Sequence, residues 1–544
     1  MTNHSLSQKT DLSELLPPTI FLALTLPWIW TRGLQNPDEL RYASVVVEMI
    51  ARSDYITPYI NGVPYFEKPP LTYWLGVLSV KLFGSHIGVY RLCSLLSGLG
   101  IVVLAGKFGR YYGCARISLN AGLIAGTMAF VFVFSQGFTP DILVAFWITL
   151  SIWFLCQLLF EKSGNRNPRT DLIMFYLSCS FAVMSKGFIG IVLPALILIA
   201  ISVHLRSFAS ILKLCRWEGP LILIAICLPW HLILEARHPG FLNFYVIQEH
   251  LFRYSTTFHH RDKAFWYLPV ILMLGTFPWS LFTLPALFSS INLKYSPSKR
   301  TDLPRFMLLW TLVPLGFFWL SKSLLPGYLL PVIVPISVLI GSHIAEKGDS
   351  YINRACAVAS ALCLTTALLL YFPLVLPHIK TTFLSNISTF ETSSIIITCA
   401  LLIVAFTYQA CSALSVSLTA IAAIPFFLVT GHIVAKHEPK SIRMFFLENH
   451  AWANGRDVAV YKTYLLDPVF YLERPVIFID RISELDYGNR IAPRDDLFWN
   501  TEKFTSEIAR GHRFTVIGRE TELERFANAN CFAKKDGFTI CHIN

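Results

Sequence analysis

The sequence predicts a polytopic α-helical membrane protein with a small α/β domain at its C-terminal end. Of its 544 residues, 54% are hydrophobic and 15% are charged, and the mean hydropathy is +0.54. A soluble domain cannot bury that much apolar surface, whereas a membrane protein presents it to lipid. The long apolar runs end near residue 435, and the residues that follow are mixed and charged. These observations together indicate two parts of different character.

Apolar runs of about 17–25 residues, the length that crosses a bilayer, number about thirteen. They are predicted near 15–34, 86–106, 117–135, 140–160, 171–186, 187–205, 218–236, 264–290, 304–320, 324–342, 355–378, 394–410 and 412–435. Basic residues favour every second connection, which by the positive-inside rule puts the N-terminus in the cytoplasm. The first run is expected to remain as an anchor, because it lacks the short apolar core and cleavage site of a signal peptide. The net charge of +11 is then a topological signal, and no nucleic-acid partner is expected.

Residues 436–544 are predicted to form an α/β domain outside the cytoplasm, because an odd number of spans precedes them. Strand-like runs lie at 458–461, 476–479 and 514–517, with helical stretches near 500–510 and 520–529. Cys531 and Cys541 are the only cysteines in this part of the sequence, on either side of a Lys-Asp-Gly turn. An oxidising compartment would allow them to pair, and the sequence leaves both the paired and the free state open.

The first outer loop, predicted at 35–85 within the membrane domain 1–435, is dense in charged and aromatic residues. Most other charged groups that interrupt the apolar sequence also fall in predicted outer loops. Acids and bases in the middle of the spans, which mark ion-coupled transporters, are nearly absent. This distribution favours chemistry at the outer membrane face over transport through the bilayer.

The loop begins with a pattern that is typical of a helix start. Asn36, Pro37 and Glu39 have the spacing of an N-cap, a first helical position and a capping-box acid. The helix that follows is amphipathic and is expected to lie along the membrane surface. Glu39 is therefore assigned to the cap. Asp38 remains available for chemistry, with interaction with the helix dipole as the alternative.

Several charged residues are candidates for a catalytic site at this face. Arg41 follows Asp38 at i+3, so the two side chains project together. Asp141 begins the fourth apolar run on the same face, as a second catalytic acid or a simple helix-start acid. Lys68 precedes two prolines, which hold the chain extended. An arginine and a lysine that converge outside the bilayer indicate phosphate binding, and Arg253 is a candidate third cation.

Six motifs occur in the following order. They are Pro-Asp-Glu-x-Arg-Tyr-Ala (37–43), Tyr-Phe-Glu-Lys-Pro-Pro (65–70), Met-Ser-Lys-Gly-Phe (184–188), Glu-His-x-x-Arg (249–253), Phe-Trp-Tyr-Leu-Pro (265–269) and Ser-Lys-x-x-x-Pro-x-Tyr (321–328). Together they resemble the bacterial lipid A aminoarabinose transferase family, of the GT-C class that includes protein O-mannosyltransferases. The resemblance covers the membrane domain and implies a GT-C fold. It implies undecaprenyl phosphate-linked 4-amino-4-deoxy-L-arabinose as donor and a lipid A phosphate, at the periplasmic face of the inner membrane, as acceptor.

The resemblance also implies roles for individual residues. By motif, Asp38 and Asp141 match the acids of the catalytic region, and Arg41 and Lys68 match ligands of the donor phosphate. The residues that match the substrate pocket are Tyr42, Tyr65, Tyr328 and Lys322. Glu67 and His250 are similar to residues proposed to hold a metal. No HExxH or CxxC pattern requires a metal, so a divalent ion is an open alternative and no cofactor is required. Two features depart from the family: Leu324 stands where a second basic residue is usual, and the loop 259–263 is shifted relative to the usual His-Arg-x-Pro-Phe-Trp-Tyr pattern.

The predicted reaction is an inverting displacement at the anomeric carbon, with polyprenyl phosphate leaving. A phosphomonoester has a second pKa near 6, so a lipid A phosphate is nucleophilic at neutral pH without a strong base. Asp38 and Asp141 would then orient groups or bind the donor's amine, whereas a hydroxyl acceptor would need one of them as base. The added amine would reduce negative surface charge and polymyxin susceptibility. Two alternatives remain: a GT-C enzyme that transfers another sugar to a glycan or protein hydroxyl, and a non-enzymatic transporter or assembly protein.

Overall fold

The computed structural model describes residues 12–160, 167–256, 263–291, 302–347, 416–421, 455–526, 529–535 and 537–543, with a few isolated residues between 353 and 453. The first four ranges are almost entirely helical. Their elements are α1 (Leu12–Thr31), α2 (Asp38–Arg52), β1 (Tyr59–Ile60), β2 (Val63–Pro64), α3 (Leu71–Phe83), α4 (Ile87–Tyr90), α5 (Leu92–Tyr112), α6 (Ala115–Gly126), α7 (Ala129–Ser135), α8 (Pro140–Phe160), α9 (Pro168–Lys186), α10 (Ile189–His204), α11 (Ala209–Leu214), α12 (Glu218–Arg237), α13 (Phe241–Asn243), a π-helix (Phe244–Phe252), α14 (Arg253–Ser255), α15 (Tyr267–Gly275), α16 (Ser280–Ile291), α17 (Asp302–Trp319), a 3-10 helix (Pro326–Val332) and α18 (Ile333–Glu346).

Four helical segments among the described residues are long and apolar enough to cross a membrane. They are Leu92–Tyr111, Pro140–Phe160, Glu218–Arg237 and Pro326–Glu346, and two bent helix pairs would raise the number to six. The span predicted at 264–290 contains α15 and α16, which are bent by 112° at a break that includes Pro278, a residue that cannot donate a helical hydrogen bond. The predicted spans at 355–378 and 394–410 lie almost entirely outside the described residues, as do most of the span at 412–435 and the domain boundary at 435/436.

The predicted outer loop contains an apolar helix that the sequence reading missed. Helix α3 has 13 residues and follows Pro70, and the charges on both sides of it concealed its hydrophobic character. Helix α2 was predicted, but its apolar face does not lie on lipid. Val45, Val46 and Met49 are fully buried in a cluster that also contains Leu465 and Val460 from the C-terminal part. Protein therefore covers this face.

The capping prediction at the start of α2 is wrong. No side chain caps the helix, and Asn36 instead hydrogen-bonds the backbone of the C-terminal part, donating to the carbonyl of Tyr464 and accepting from the N–H of Leu466. Asn61 makes the same two-sided contact with the backbone of Val476, at 2.9 Å and 2.8 Å. Both asparagines therefore bind the C-terminal part to the first outer loop.

Glu39 is structural, but it acts as the centre of a buried ion cluster. Its carboxylate lies 2.9 Å from Arg32 and 2.7 Å from Arg91, and it accepts hydrogen bonds from the backbone N–H groups of Gln35 and Phe138. Burial alone would raise the pKa of Glu39, but the two arginines outweigh burial and lower this pKa to about 2. The cluster fixes the end of α1, the start of α2 and the start of α5 relative to one another.

The C-terminal part forms one mixed sheet with short helices, here called the C-terminal unit (455–543). Its elements are β3 (Asp457–Tyr461), α19 (Asp467–Tyr471), β4 (Ile477–Ile479), a 3-10 turn (Ser483–Leu485), α20 (Asp486–Ile491), β5 (Phe498–Trp499), α21 (Thr501–Ala509), β6 (Phe514–Arg519), α22 (Glu520–Leu523), β7 (Ala529–Lys535) and β8 (Phe538–Ile543). The strand order is β5-β4-β3-β6-β8-β7, with β5, β4, β3 and β6 parallel and β8 antiparallel to both of its neighbours. The three predicted strands are confirmed. Cys531 and Cys541 form a disulfide across β7 and β8.

Candidate active site

A cavity of about 460 Å³ lies between the first outer loop and the helices that follow it. One part of its wall is charged and the rest is largely aromatic and aliphatic. The lining residues are Glu67, Lys68, Lys186, Phe188, Ile189, Val192, Glu249, His250, Leu251, Arg253, Tyr254, Phe317, Phe318, Ser321, Ser323 and Tyr328. The cavity therefore offers cations and an apolar surface side by side.

Lys68 and Arg253, predicted as phosphate ligands, are brought together in this cavity by an acid that the sequence reading did not assign. The carboxylate of Glu249 lies 3.6 Å from Lys68 and 2.9 Å from Arg253. The carboxylate of Glu67 also lies near Lys68, at 3.7 Å. The i,i+4 spacing of Glu249 and Arg253 was the available signal for this pairing. Both cations are therefore held in place by acids on the same cavity wall.

Arg41 is close to this group but does not line the cavity. Its guanidinium lies 3.7 Å from Glu67, which does line the cavity. It also lies 2.8 Å from Asp38 and 2.9 Å from Glu484 of the C-terminal unit. The hydroxyl of Tyr65 accepts a hydrogen bond from it at 3.4 Å. Of the three predicted phosphate ligands, Lys68 and Arg253 thus line the cavity, and Arg41 lies next to Glu67 outside the lining.

The two predicted catalytic acids are paired with different cations. The predicted pair of Asp38 with Arg41 is confirmed, and the carboxylate of Asp38 is 69% exposed. Asp141, at the start of α8, pairs with Lys186 at the end of α9. Burial raises the pKa of Tyr42, and the charges of Asp141 and Asp38 raise it further. Both acids therefore act electrostatically on one buried tyrosine.

The predicted pocket residues are only partly gathered at the cavity. Tyr328 lines it, with the Lys186 ammonium 4.9 Å from its ring centre, whereas Tyr42 and Tyr65 are buried beside Arg41. Lys322 does not line it: its side chain is exposed, and its backbone N–H donates to the carbonyl of Tyr254. The family departure at Leu324 is also explained, because this side chain is 5% exposed and packs in the main core.

The charge states of the cavity residues follow from their neighbours. Burial would raise the pKa of Glu67, but Lys68, Arg41 and Arg253 lower it to about 2. Burial and the adjacent Arg253 lower the pKa of Lys68. Burial lowers the pKa of His250 to about 4, so the imidazole is neutral at physiological pH.

Glu67 and His250, the predicted metal pair, line the same cavity. The Nδ1 atom of His250 lies 2.7 Å from the carbonyl of Tyr245, so Nδ1 carries the hydrogen and Nε2 keeps its lone pair. That is the form in which a histidine binds a metal. Within the described ranges, however, no three His, Cys, Asp or Glu side chains are grouped so as to hold an ion. This part of the chain therefore offers two metal ligands, Glu67 and His250.

Comparison with known proteins supports the resemblance derived from the motifs. The family model described as dolichyl-phosphate-mannose-protein mannosyltransferase matches residues 67–233. An undecaprenyl phosphate-alpha-4-amino-4-deoxy-L-arabinose arabinosyl transferase of Pseudomonas fluorescens is 31% identical over 344 residues, which cover 62% of this chain and 61% of that protein. A protein of the same name from Pseudomonas aeruginosa is 30% identical over 354 residues, covering 61% of each. The chain thus matches about three fifths of the length of these curated relatives.

The fold is shared with solved structures. ArnT from Cupriavidus metallidurans, in its apo state, superimposes with a TM-score of 0.82 at 21% sequence identity, over 98% of this chain and 97% of that one. The same protein bound to undecaprenyl phosphate gives the same values. The predicted GT-C membrane fold is therefore confirmed, and so is the resemblance to the aminoarabinose transferases.

Proposed function

We propose that this chain, a relative of the undecaprenyl phosphate-aminoarabinose arabinosyl transferases, is itself a glycosyltransferase of that kind. It transfers 4-amino-4-deoxy-L-arabinose, or a similar amino sugar, from undecaprenyl phosphate to a phosphate of lipid A. The added amine lowers the negative charge of the outer surface and gives resistance to polymyxin and other cationic peptides.

The observation that supports this proposal is that the cavity combines positively charged residues with an apolar wall. Lys68 and Arg253 supply positive charge, and Arg253 is an arginine that can hold a phosphate with two parallel hydrogen bonds. Phe188, Ile189 and Phe318 belong to the apolar part of the same wall. A polyprenyl phosphate has this combination of a charged group joined to a long apolar chain. A water-soluble nucleotide sugar would have no use for the apolar wall.

In the proposed reaction, an oxygen of the acceptor phosphate attacks the anomeric carbon as the bond to the donor phosphate breaks. The cavity cations stabilise the charge that develops on the leaving phosphate. Asp38 and Asp141 orient the reacting groups or bind the donor's amine, since an ionised phosphate acceptor needs no strong base. A divalent ion, if used, would be held by Glu67 and Nε2 of His250 and would add positive charge beside the leaving phosphate; the reaction as proposed requires none.

We further infer about thirteen spans in the bacterial inner membrane, with the cavity and the domain 436–544 in the periplasm. The disulfide between Cys531 and Cys541 supports this location, because such bonds persist in oxidising compartments. The distribution of basic residues between alternate connections supports it as well.

The direct test is mass spectrometry of lipid A from cells with and without the gene. The expected result is a pentosamine on a lipid A phosphate that is lost on deletion and restored by the wild-type chain. A complementing Glu502→Ala variant is the matched control, since Glu502 is exposed on the C-terminal unit. If the phosphates carry no pentosamine or hexosamine in any of these strains, the proposed function is excluded. Polymyxin susceptibility is a companion measurement.

A further inference from the structure

The C-terminal unit reaches the site through one glutamate. Glu484 lies in the 3-10 turn Ser483–Leu485, and its carboxylate is 2.9 Å from Nη1 of Arg41. Arg41 is 4% exposed, so this ion pair is shielded from water. No local pattern indicates it, because the two residues come from opposite ends of the sequence. The contact gives the C-terminal unit a direct connection to a proposed phosphate ligand.

Glu484 occupies only one side of the Arg41 guanidinium. The Tyr65 hydroxyl binds Nη1 as well, at 3.4 Å. Nη2 donates to Asp38, and among the residues that the structure describes no acceptor hydrogen-bonds Nε. Nε and Nη2 form the side edge through which an arginine binds a phosphate in bidentate fashion. Glu484 therefore leaves the phosphate-binding edge to other partners.

The acid that stands on this edge is the one more easily displaced. The side chain of Asp38 is 69% exposed, whereas that of Glu484 is 23% exposed. Ion pairs with an exposed partner contribute little, and breaking a buried pair is costly. An arriving phosphate would thus exchange with Asp38 on Nη2 while Glu484 keeps Nη1.

We propose that Glu484 is a positioning residue, which holds Nη1 of Arg41 so that the Nε–Nη2 edge is presented to the donor's phosphate. The C-terminal unit then takes part in donor binding through this residue. The inference rests on the proposed function and on the sequence-based prediction that Arg41 is a ligand of the donor phosphate.

The test is the affinity of the full-length protein in lipid nanodiscs for undecaprenyl phosphate. Loss of this buried ion pair should weaken binding about tenfold in Glu484→Ala. Glu484→Gln should weaken it less, about two- to threefold, because the amide keeps its place against Nη1 while the negative charge is lost. In transfer assays the donor KM should rise while the acceptor KM stays unchanged. Unchanged or tighter binding in Glu484→Ala would overturn the proposal.

Two controls separate positioning from general loosening of the C-terminal unit. Tyr487→Phe removes a 3.0 Å hydrogen bond to the carbonyl of Gly240, which joins the same two parts away from Arg41. Glu502→Ala removes an exposed acid of the same unit. Both control variants should bind undecaprenyl phosphate with wild-type affinity. If Tyr487→Phe loses as much affinity as Glu484→Ala, the proposal is also overturned. Undecaprenyl phosphate carries no sugar, so its binding does not depend on the transfer reaction. If the wild-type protein binds undecaprenyl phosphate but transfers no sugar to lipid A, the proposed function is contradicted and the role of Glu484 is not.

Discussion

Asp141 forms an ion pair with Lys186 at the edge of the cavity, joining the start of α8 to the end of α9. Asp38 has a separate partner in Arg41, at 2.8 Å. Each acid therefore contacts a different cation, and the two are not paired with each other. A carboxylate that is engaged by a cation is better placed to orient groups than to accept a proton from an acceptor.

The role of Asp38 is tested by Asp38→Asn. A general base contributes about 10²- to 10⁴-fold to the rate, whereas an orienting acid contributes less. We expect kcat with lipid A phosphate as acceptor to fall about three- to tenfold. The measurement is transfer by the purified enzyme at saturating donor and acceptor. A fall of a hundredfold or more, with the unfolding temperature unchanged, would make Asp38 the base and a hydroxyl the preferred acceptor.

The ion cluster around Glu39 is expected to support the fold without taking part in the reaction. Glu39→Ala leaves Arg32 and Arg91 buried without their shared acid and should cost about 3–5 kcal/mol of stability. Because the pKa of Glu39 falls from 4.5 to about 2 on folding, its contribution is present above pH 4.5 and is lost as the pH falls towards 2. Thermal unfolding in detergent should show a lower midpoint for the variant at neutral pH. This difference should shrink below pH 4.5. A midpoint equal to wild type at neutral pH would contradict the cluster's role.

Donor binding should weaken at alkaline pH because of Lys68. Burial and Arg253 hold the pKa of Lys68 below its usual 10.5, so its charge is lost as the pH rises through that lowered value. In Lys68→Arg the guanidinium stays protonated, and the alkaline decline of kcat/KM for the donor should move to higher pH. The measurement is kcat/KM for the donor as a function of pH in the wild type and in Lys68→Arg. If kcat/KM declines at the same alkaline pH in both proteins, a group other than Lys68 causes the decline.

The disulfide allows the proposed location of the C-terminal unit to be tested. In a variant that keeps only Cys531 and Cys541, denatured protein from cells should react with a maleimide–polyethylene glycol reagent only after reduction. A Glu502→Cys variant in the same background should react in intact spheroplasts with a membrane-impermeant maleimide. Free thiols at the two cysteines, or protection of position 502, would contradict the periplasmic location.

Removal of divalent ions should leave transfer activity unchanged. Glu67 already has Lys68 and Arg41 at 3.7 Å each, and a further cation there would be repelled by Lys68 and Arg253. The measurement is activity after dialysis against a chelator. Loss of activity that is restored by added Zn²⁺ would instead assign an ion to Glu67 and His250.

Local relationships in this protein could be read from the sequence. Asp38 and Arg41 are three residues apart in one helix, and their predicted pairing is confirmed. The span predicted at 140–160 coincides with α8, because its apolar run has no interruption. The three strands predicted for the C-terminal unit were also visible as short apolar runs. In each case the signal lies within the element itself.

Relationships between distant parts could not be read in this way. Asn36 looked like a cap, but the hydrogen-bonding groups of Tyr464 and Leu466 compete for its side chain, and only the folded chain brings them near. Lys186 gave no sign of its pairing with Asp141, since they lie on different helices. The link from Glu484 to Arg41 has the same origin. Tertiary contacts decided each of these positions.

The π-helix Phe244–Phe252 has a further consequence. It carries Glu249 and His250 and leads directly into Arg253. A π-turn holds one residue more than an α-turn. Deleting a single residue here would let the segment close as an α-helix, which would re-aim the side chains within the wide turn while the helical residues on either side keep their phase. The cavity wall is therefore sensitive to segment length as well as to residue type, so that one lost codon can remodel it while every charged residue is retained.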